Sequence, residues 1–251
     1  MPEAEALQPR TSSQVPGRPS LAGKGDPVES AVRIPLGRVG LDADFVPPAL
    51  GHGIVIFAHG SGSGRKSPRN RQVARVLNSC GIGTLLLDLL AGFEAQIDEL
   101  TAEYRFNIPL LTERLLGVTD WLTSRPEGKG VPLGYFGAST GGAVAMIAAS
   151  RKAGEVGAIV LRGARSDLGD SAATRIRCPT LILVGGNDHV ILELNSKTMQ
   201  LLQCEKKLVI IPGASHLFEE PGTLERVATE AANWFEVYLS PPMVRTVRTP
   251  G

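Results

Sequence analysis

Hydrophobic residues of this chain gather in six short runs that alternate with longer segments of helical periodicity. The runs are rich in Val, Ile and Leu, and each has the length of a single buried strand. They cover residues 54–58, 83–87, 133–136, 158–161, 180–184 and 208–211. Apolar residues at three- and four-residue spacing predict helices over 67–80, 108–124, 141–153, 191–203 and 224–239. This alternation predicts an α/β fold, in which helices cover both faces of a mostly parallel sheet.

The remaining segments have different patterns. Two short alternating runs within 31–48 predict an N-terminal antiparallel hairpin. Residues 1–29 contain Pro, Gly and Ser but few large apolar residues, so they predict a flexible tail before a single domain over 30–239. A second flexible tail is predicted over 240–251. The segment 91–107 is expected to be irregular and to shape one wall of a cleft, and 162–176 to hold at most a short helix.

Composition narrows the possible partners. A chain of 251 residues that is 43% hydrophobic has enough apolar surface for one large core. Its net charge of +1 and the absence of a membrane-length apolar run favour neither nucleic acid nor membrane as a partner. The three cysteines form no CxxC pair, and the first ten residues lack the order of a secretory signal, so we expect a cytoplasmic protein. The four histidines have no HxxxH or HExxH spacing, which argues against a metal site.

The segment GYFGASTGGAVAM, residues 134–146, carries the most specific chemical signal. It reads as a strand, then a G-x-S-x-G turn centred on Ser139, then a helix of small residues. Such a turn lifts a serine hydroxyl above the sheet at a helix N-terminus, where developing negative charge is favoured. Glycine two positions away on each side leaves room for the tight turn. The segment predicts a nucleophile elbow.

A serine needs a base to take its proton and an acid to orient that base. After an elbow, these partners follow in the order acid, then His, each just past a strand. Asp188 follows the run at 180–184, and His216 follows the run at 208–211. We therefore expect Ser139, Asp188 and His216 to meet at the carboxyl edge of the sheet, with Asp167 as the reserve acid.

The glycine-rich loop HGSGSGRKS, residues 59–67, has two interpretations. Placed after the first buried strand, it is positioned to supply an oxyanion-binding amide at Ser61, paired with the amide of Thr140. Alternatively, Gly60, Lys66 and Ser67 fit a phosphate-binding loop, and the run LLLDLL would end in a magnesium-holding Asp88. Arg65 stands where that loop needs its second glycine, which favours the oxyanion interpretation.

Arginines near these motifs raise the question of an anionic substrate. Arg162 and Arg165 follow the run at 158–161, and either is a candidate to bind a substrate carboxylate. The basic run at 65–71 is typical of a solvated helix start, with substrate contact as the alternative. His59 is interpreted as a structural hydrogen-bonding residue and not as an acid or base.

Four segments together, HGSGSGRKSPRN, GYFGASTGGA, PTLILVGGNDHV and PGASHLFEEPG, resemble the dienelactone hydrolase-like branch of the α/β-hydrolases over about residues 34–239. The resemblance implies an eight-stranded sheet, Ser139 as nucleophile, Asp188 as acid, His216 as base and no cofactor. Dienelactone hydrolases proper carry cysteine at the elbow, whereas this chain has Ser139. The expectation therefore moves to a serine esterase.

The predicted reaction is two-step acyl transfer on an ester, lactone or thioester. So few residues separate the runs at 158–161 and 180–184 that no lid domain fits between them, which predicts an open cleft and a small, soluble substrate. An acyltransferase with the same residues, a nucleotide-binding protein and a non-catalytic binding protein of the same fold are the alternatives. The pattern leaves the substrate and the oligomeric state open.

Overall fold

The computed structural model describes residues 28–240, which fold around one eight-stranded sheet. The strands are β1 Ser30–Leu36, β2 Val39–Val46, β3 Ile54–Ala58, β4 Gly83–Leu87, β5 Leu133–Ala138, β6 Val156–Arg162, β7 Thr180–Gly185 and β8 Lys206–Ile211. Their order is β1-β2-β4-β3-β5-β6-β7-β8. The first two pairings are antiparallel and all later ones are parallel, which confirms the predicted fold class. The predicted tails lie almost wholly outside the described residues.

Helices cover both faces of this sheet. They are α1 Pro68–Ser79, α2 Gly92–Thr101, α3 Ile108–Ser124, α4 Thr140–Arg151, α5 Asp170–Ala173, α6 His189–Leu201 and α7 Thr223–Leu239, with a 3-10 turn at Ser166–Leu168. Buried side chains of α1 and α7 form the core on one face, and those of α3, α4 and α6 form the core on the other. Strand β5 is buried along its whole length because both faces are covered.

The predicted N-terminal antiparallel hairpin is formed by β1 and β2. Leu36 pairs with Val39, so a two-residue turn joins β1 to β2. Gly37 occupies the left-handed region at φ 62°, which this tight turn requires. Strand β2 then pairs with β4 and attaches the hairpin to the edge of the parallel sheet.

Helix α2 is the main departure from the predicted elements, because 91–107 was expected to be irregular. Its buried side chains are the carboxylates Glu94 and Asp98, whereas Phe93 is 56% and Leu100 is 91% exposed. A search for an apolar buried face therefore misses it. Glu94 caps the helix by accepting the Ala91 N–H at 2.7 Å. Residues 102–107 follow without regular structure, as predicted.

The connection from β6 to β7 contains only the 3-10 turn and the four-residue helix α5, so no lid domain is inserted there. Within residues 28–240, every helix is too short or too polar to cross a bilayer. The carboxyl ends of strands β3 to β8 meet at one edge, and the connections that leave this edge carry the candidate residues.

Candidate active site

Ser139 lies in the tight turn between β5 and α4, with φ 51° and ψ −121°. A non-glycine residue rarely adopts a left-handed φ, and such strain concentrates at functional sites. The Ser139 N–H donates to the Arg162 carbonyl at 3.0 Å, which ties the turn to β6. A side chain at Gly141 would lie 2.2 Å from the Ala58 carbonyl oxygen, so only glycine fits there. The local geometry is that of a nucleophile elbow.

The structure brings Ser139, His216 and Asp188 together. The Nδ1–H of His216 donates to Asp188 Oδ2 at 2.6 Å, and its Nε2 lies 3.4 Å from Ser139 Oγ. Asp188 immediately precedes α6, and His216 lies in the loop after β8, as the sequence predicts. With the Nδ1 proton directed at the carboxylate, the Nε2 lone pair is free to accept the serine proton.

The reserve acid has another partner. Asp167 accepts two hydrogen bonds from the Arg165 guanidinium, at 2.9 and 2.8 Å. This ion pair lowers the pKa of Asp167 and raises that of Arg165. Among the described residues, therefore, the carboxylate that contacts His216 belongs to Asp188.

Both predicted oxyanion donors lie beside the elbow, but one of them is in use. The N–H of Ser61 donates to Thr140 Oγ1 at 2.8 Å. Thr140 opens α4, so its own N–H has no carbonyl partner within the helix. For the Ser61 amide to bind a substrate oxygen, the Thr140 hydroxyl must move aside or be replaced as acceptor. This contact has no signal in the sequence pattern, because it depends on the packing of two distant loops.

The glycine-rich loop is packed against Asp88 and not arranged around a phosphate. The Arg65 N–H donates to Asp88 Oδ1 at 2.7 Å, and the Arg65 guanidinium forms an ion pair with the same carboxylate. A side chain at Gly64 would meet Asp88 Oδ1 at 2.5 Å. Arg65 therefore occupies the carboxylate that the nucleotide-binding interpretation assigned to magnesium.

The basic run at the start of α1 neutralises a buried carboxylate. Asp44 on β2 is 2% exposed, and its oxygens lie 2.7 Å from Lys66 Nζ, 3.0 Å from Arg71 Nη1 and 3.5 Å from Arg65 Nε. Arg71 also pairs with Glu29, whose hydrogen bond is the main cause that raises the pKa of Arg71. The cations at 65, 66 and 71 thus fasten α1 to the hairpin.

His59 holds the glycine-rich loop to the end of β4. Its Nδ1–H donates to the Gly60 carbonyl at 2.8 Å, and its Nε2 accepts the Leu89 N–H at 3.0 Å. The side chain is buried, and burial lowers the pKa of His59. A neutral imidazole with both nitrogens occupied has the structural role that the sequence predicts.

A cavity of about 250 Å³ opens beside the elbow, between the glycine-rich loop and α2. Residues of β2, of the segment after β4, of α2 and of α3 complete its wall. The lining residues are Asp42, His59, Gly60, Ser61, Gly62, Ser63, Asp88, Leu90, Gly92, Ala95, Asp98, Glu99, Arg105, Leu111 and Thr140. The segment 91–107 therefore forms one wall, as expected. Among the described residues, no cluster of His, Cys, Asp or Glu is arranged to hold a metal ion.

Arg105 is the cation of this cavity, and sequence reasoning missed it. Its Nε donates to Asp98 Oδ2 at 2.8 Å, and its backbone N–H donates to Asp98 Oδ1 at 2.8 Å. Its Nη1 has no acceptor among the described residues and lies 3.8 Å from the position that a Cβ of Gly62 would take. Asp98 also accepts Nη2 at its carbonyl oxygen, so the free edge of the guanidinium is its Nη1 side, toward the loop. A correct prediction of helix α2 would have located Arg105, because Asp98 of that helix holds it.

The two arginines predicted to bind substrate lie elsewhere. Arg162 is 7% exposed, and its guanidinium carbon lies 5.7 Å from the centre of the Phe218 ring. Arg165 is engaged by Asp167. Neither residue lines the cavity. A direct role in substrate binding therefore finds no support in the arrangement of the cavity.

The sheet order and the strained elbow define an α/β-hydrolase fold. Residues 52–238 match the model of the dienelactone hydrolase family, and the chain belongs to that family. It is 51% identical to a crystal structure of dienelactone hydrolase from Anabaena variabilis ATCC 29413, which covers 86% of this chain and 100% of that one with a TM-score of 0.84. Family membership supports hydrolase activity.

Three further similar proteins differ in what they indicate. Proteins from two Mycobacterium tuberculosis strains, provisionally named phosphoribosyl transferases, are 45% identical over 214 residues. The match covers 85% of this chain but 47% of each relative, so the chain spans about half the length of these curated relatives. Est1E from Butyrivibrio proteoclasticus is 18% identical with a TM-score of 0.69, covers 82% of this chain and 97% of its own, and shows the fold alone.

Proposed function

We propose that this protein is a serine hydrolase that cleaves a small ester, lactone or thioester through an acyl-enzyme intermediate. The observation that carries the proposal is the position of His216 between Asp188 and Ser139, which lies in a strained turn. His216 Nδ1 lies 2.6 Å from Asp188 Oδ2, and His216 Nε2 lies 3.4 Å from Ser139 Oγ. The Ser139 hydroxyl therefore contacts a base, His216, and that base contacts an acid, Asp188, that orients it. Family membership supports the same class of reaction.

In the acylation step, His216 Nε2 removes the proton of Ser139 Oγ as the oxygen attacks the carbonyl carbon. The carbonyl oxygen becomes an oxyanion near the amides of Thr140 and Ser61, and each well-placed donor of this kind typically contributes about 10²–10³ in rate. The C–O or C–S bond then breaks, and His216 gives its proton to the leaving alcohol or thiol. Asp188 stabilises the imidazolium while it exists.

In the second step, water replaces the leaving group. His216 removes a proton from water, the hydroxide attacks the acyl carbon, and the bond to Ser139 Oγ breaks. The carboxylic acid product leaves and Ser139 recovers its proton from His216. An acyltransferase would differ from a hydrolase only in this second step, in which an alcohol or amine takes the place of water.

The cavity suggests a substrate of modest size that carries a negative charge. A volume of about 250 Å³ accommodates a small molecule, and Leu90 and Leu111 supply apolar surface. The free edge of Arg105 is placed to bind a carboxylate on the substrate. We therefore assign to Arg105 the anion-binding role that sequence reasoning gave to Arg162 and Arg165. The name of the Anabaena protein keeps lactones among the candidates.

We do not extend phosphoribosyl transfer to this chain. The relatives that carry this name contain about as much sequence again beyond the matched part. In this chain, the loop with the nearest likeness to a phosphate-binding motif is packed against Asp88.

A panel of small esters, a lactone and a thioester tests the proposal. Wild type should hydrolyse at least one member of the panel, and Ser139→Ala should lose about 10³-fold or more of kcat/KM. Ser79→Ala is the matched control, because Ser79 lies at the end of α1 and donates to Val76 within its own helix. Equal activity in wild type and Ser139→Ala would refute the mechanism. Transfer of the acyl group to an added alcohol in preference to water would identify the acyltransferase.

A further inference from the structure

Two arginines lie against the loop that follows His216, away from the cavity. Arg162 ends β6 and packs beneath Phe218, whose ring belongs to the core that α1 and α7 share. Arg69, in the first turn of α1, donates from Nη1 to Glu219 Oε1 at 3.3 Å. The two cations therefore contact consecutive residues of one loop, from two different elements.

The charge of Arg162 is not neutralised within the described residues. The side chain is more than nine-tenths buried, forms no ion pair, and neither Nε nor Nη1 has a hydrogen-bond acceptor. Arg69 Nε is also buried without an acceptor. A buried cation is strongly disfavoured unless an anion or several polar groups face it. Three unused donors on two guanidinium groups thus lie in one small region.

The positive charges of these two guanidinium groups repel each other. Burial, together with a smaller repulsion from Arg69, lowers the pKa of Arg162 to about 10. With this pKa, Arg162 is still charged at neutral pH. The two positive charges add in a region of low dielectric, where attraction for an anion is larger than in water.

We propose that a small monovalent anion, of the size of chloride, nitrate or formate, binds between Arg69 and Arg162. The donors are the two Nε–H groups and Nη1 of Arg162. Arg69, Phe218 and Glu219 also line a neighbouring cavity of about 240 Å³. Glu219, Glu220 and Glu225 also line this cavity, and their charges favour a small, singly charged anion over a multivalent one.

The anion would link β6 and α1 to the loop that positions His216. Phe218 and Glu219 follow His216 by two and three residues, and Phe218 has a left-handed φ of 55° that its surroundings must maintain. Binding should therefore stabilise the fold and hold the imidazole in place. This consequence for activity rests on the proposed function, whereas the binding itself does not.

Thermal unfolding at constant ionic strength tests the site, with gluconate replaced stepwise by chloride, nitrate or formate. The Tm of wild type should rise and saturate, by roughly 3 °C when the anion reaches about ten times its Kd. Arg162→Met keeps apolar contact with Phe218 but removes the donors, so the response should vanish. Arg69→Gln should weaken it. Arg151→Met should keep it, because Arg151 is a surface residue paired with Glu113.

Bromide and anomalous diffraction give a second readout that does not depend on activity. A bromide peak between the two guanidinium groups is expected in wild type and in Arg151→Met. A weaker peak is expected in Arg69→Gln, and this variant provides the test if Arg162→Met does not fold. A peak without any response in solution means an adventitious ion only and overturns the proposal. So does an anion response that is equal in wild type and Arg162→Met. If the Tm depends on the anion but the protein cleaves no ester, the anion site is supported and the proposed function is rejected.

Discussion

The backbone of Ser139 is maintained by its neighbours at the scale of single residues. Its φ of 51° is unfavourable for a side chain with a Cβ, and the turn is held by hydrogen bonds on both sides. The Ser139 N–H donates to Arg162, while the Ser139 carbonyl accepts the N–H groups of Gly142 and Arg165. This arrangement leaves the hydroxyl exposed to the His216 ring. The strain is consistent with the role that we propose for Ser139.

The choice between the two candidate acids can be tested with matched variants. Asp188→Asn should lower kcat/KM by about 10³–10⁴, because an amide no longer holds the imidazole in the required tautomer. Asp167→Asn should leave kcat/KM within a few-fold of wild type, because Asp167 is paired with Arg165. Steady-state kinetics on one ester compares them. The reverse order of effects would show that Asp188 is not the acid.

The positions of the three main residues were predictable from the sequence because they depend on topology. Carboxyl ends of neighbouring parallel strands meet at one edge, so strand order alone brings Asp188 and His216 near Ser139. The contact of Ser61 with Thr140 and that of Arg65 with Asp88 were not predictable. Each contact depends on how two loops that are distant in the sequence pack together, and the hydrophobic periodicity of the chain carries no information about such packing.

At the scale of elements, predicted and observed helices and strands agree where one face is apolar. Helix α3 and strands β3 and β4 have the predicted bounds, and other ends differ by a few residues. Helix α2 was missed because it buries Glu94 and Asp98, which are satisfied by Arg114 and Arg105. Ion pairs replace apolar contacts on this helix, and the usual pattern is absent.

The free edge of Arg105 predicts a preference for anionic substrates. Arg105→Gln should raise KM for a carboxylate-bearing ester by about tenfold or more, since a charge-assisted contact typically contributes about 1.5–3 kcal/mol. A neutral ester of similar size should change little. Arg125→Gln, at a solvent-exposed position after α3, is the control. Equal effects on both esters would remove Arg105 from substrate recognition.

The Asp98–Arg105 pair also predicts how stability depends on pH. Burial acts to raise the pKa of Asp98, but the N–H groups of Arg105 and Tyr104 and the Arg105 guanidinium more than offset it, so the pKa is lowered. A lowered carboxyl pKa stabilises the fold above the unfolded pKa of about 3.9, and this stability is lost as pH falls through the folded value. Asp98→Asn should therefore lower Tm most at neutral pH.

Thermal unfolding between pH 3 and pH 7 measures this effect. The Tm difference between wild type and Asp98→Asn should narrow as the pH falls below about 4. Asp120→Asn is the control, because Asp120 is exposed and pairs with Lys152 at the surface. A Tm difference that is constant across the range would show that Asp98 does not act through its charge.

At the scale of the whole molecule, the hydrophobic cores on the two faces of the sheet and its carboxyl edge determine where reactive residues lie. The cores on the two faces fix the sheet, and the edge where six parallel strands end carries the reactive residues. Charged groups at this edge are mostly paired with one another, as in the Asp44 and Asp88 clusters. Proposed roles are given to Ser139 and to three arginines, Arg69, Arg105 and Arg162, which keep donors without an acceptor among the described residues.

Labelling with a fluorophosphonate probe tests the central claim most directly, because the probe bonds covalently only to a serine that a neighbouring base activates. Intact mass and peptide mapping should show one adduct per chain, on Ser139, in wild type. The adduct should be absent in Ser139→Ala and strongly reduced in His216→Gln. A correctly folded wild type that stays unlabelled, or an adduct on another serine, would contradict the account.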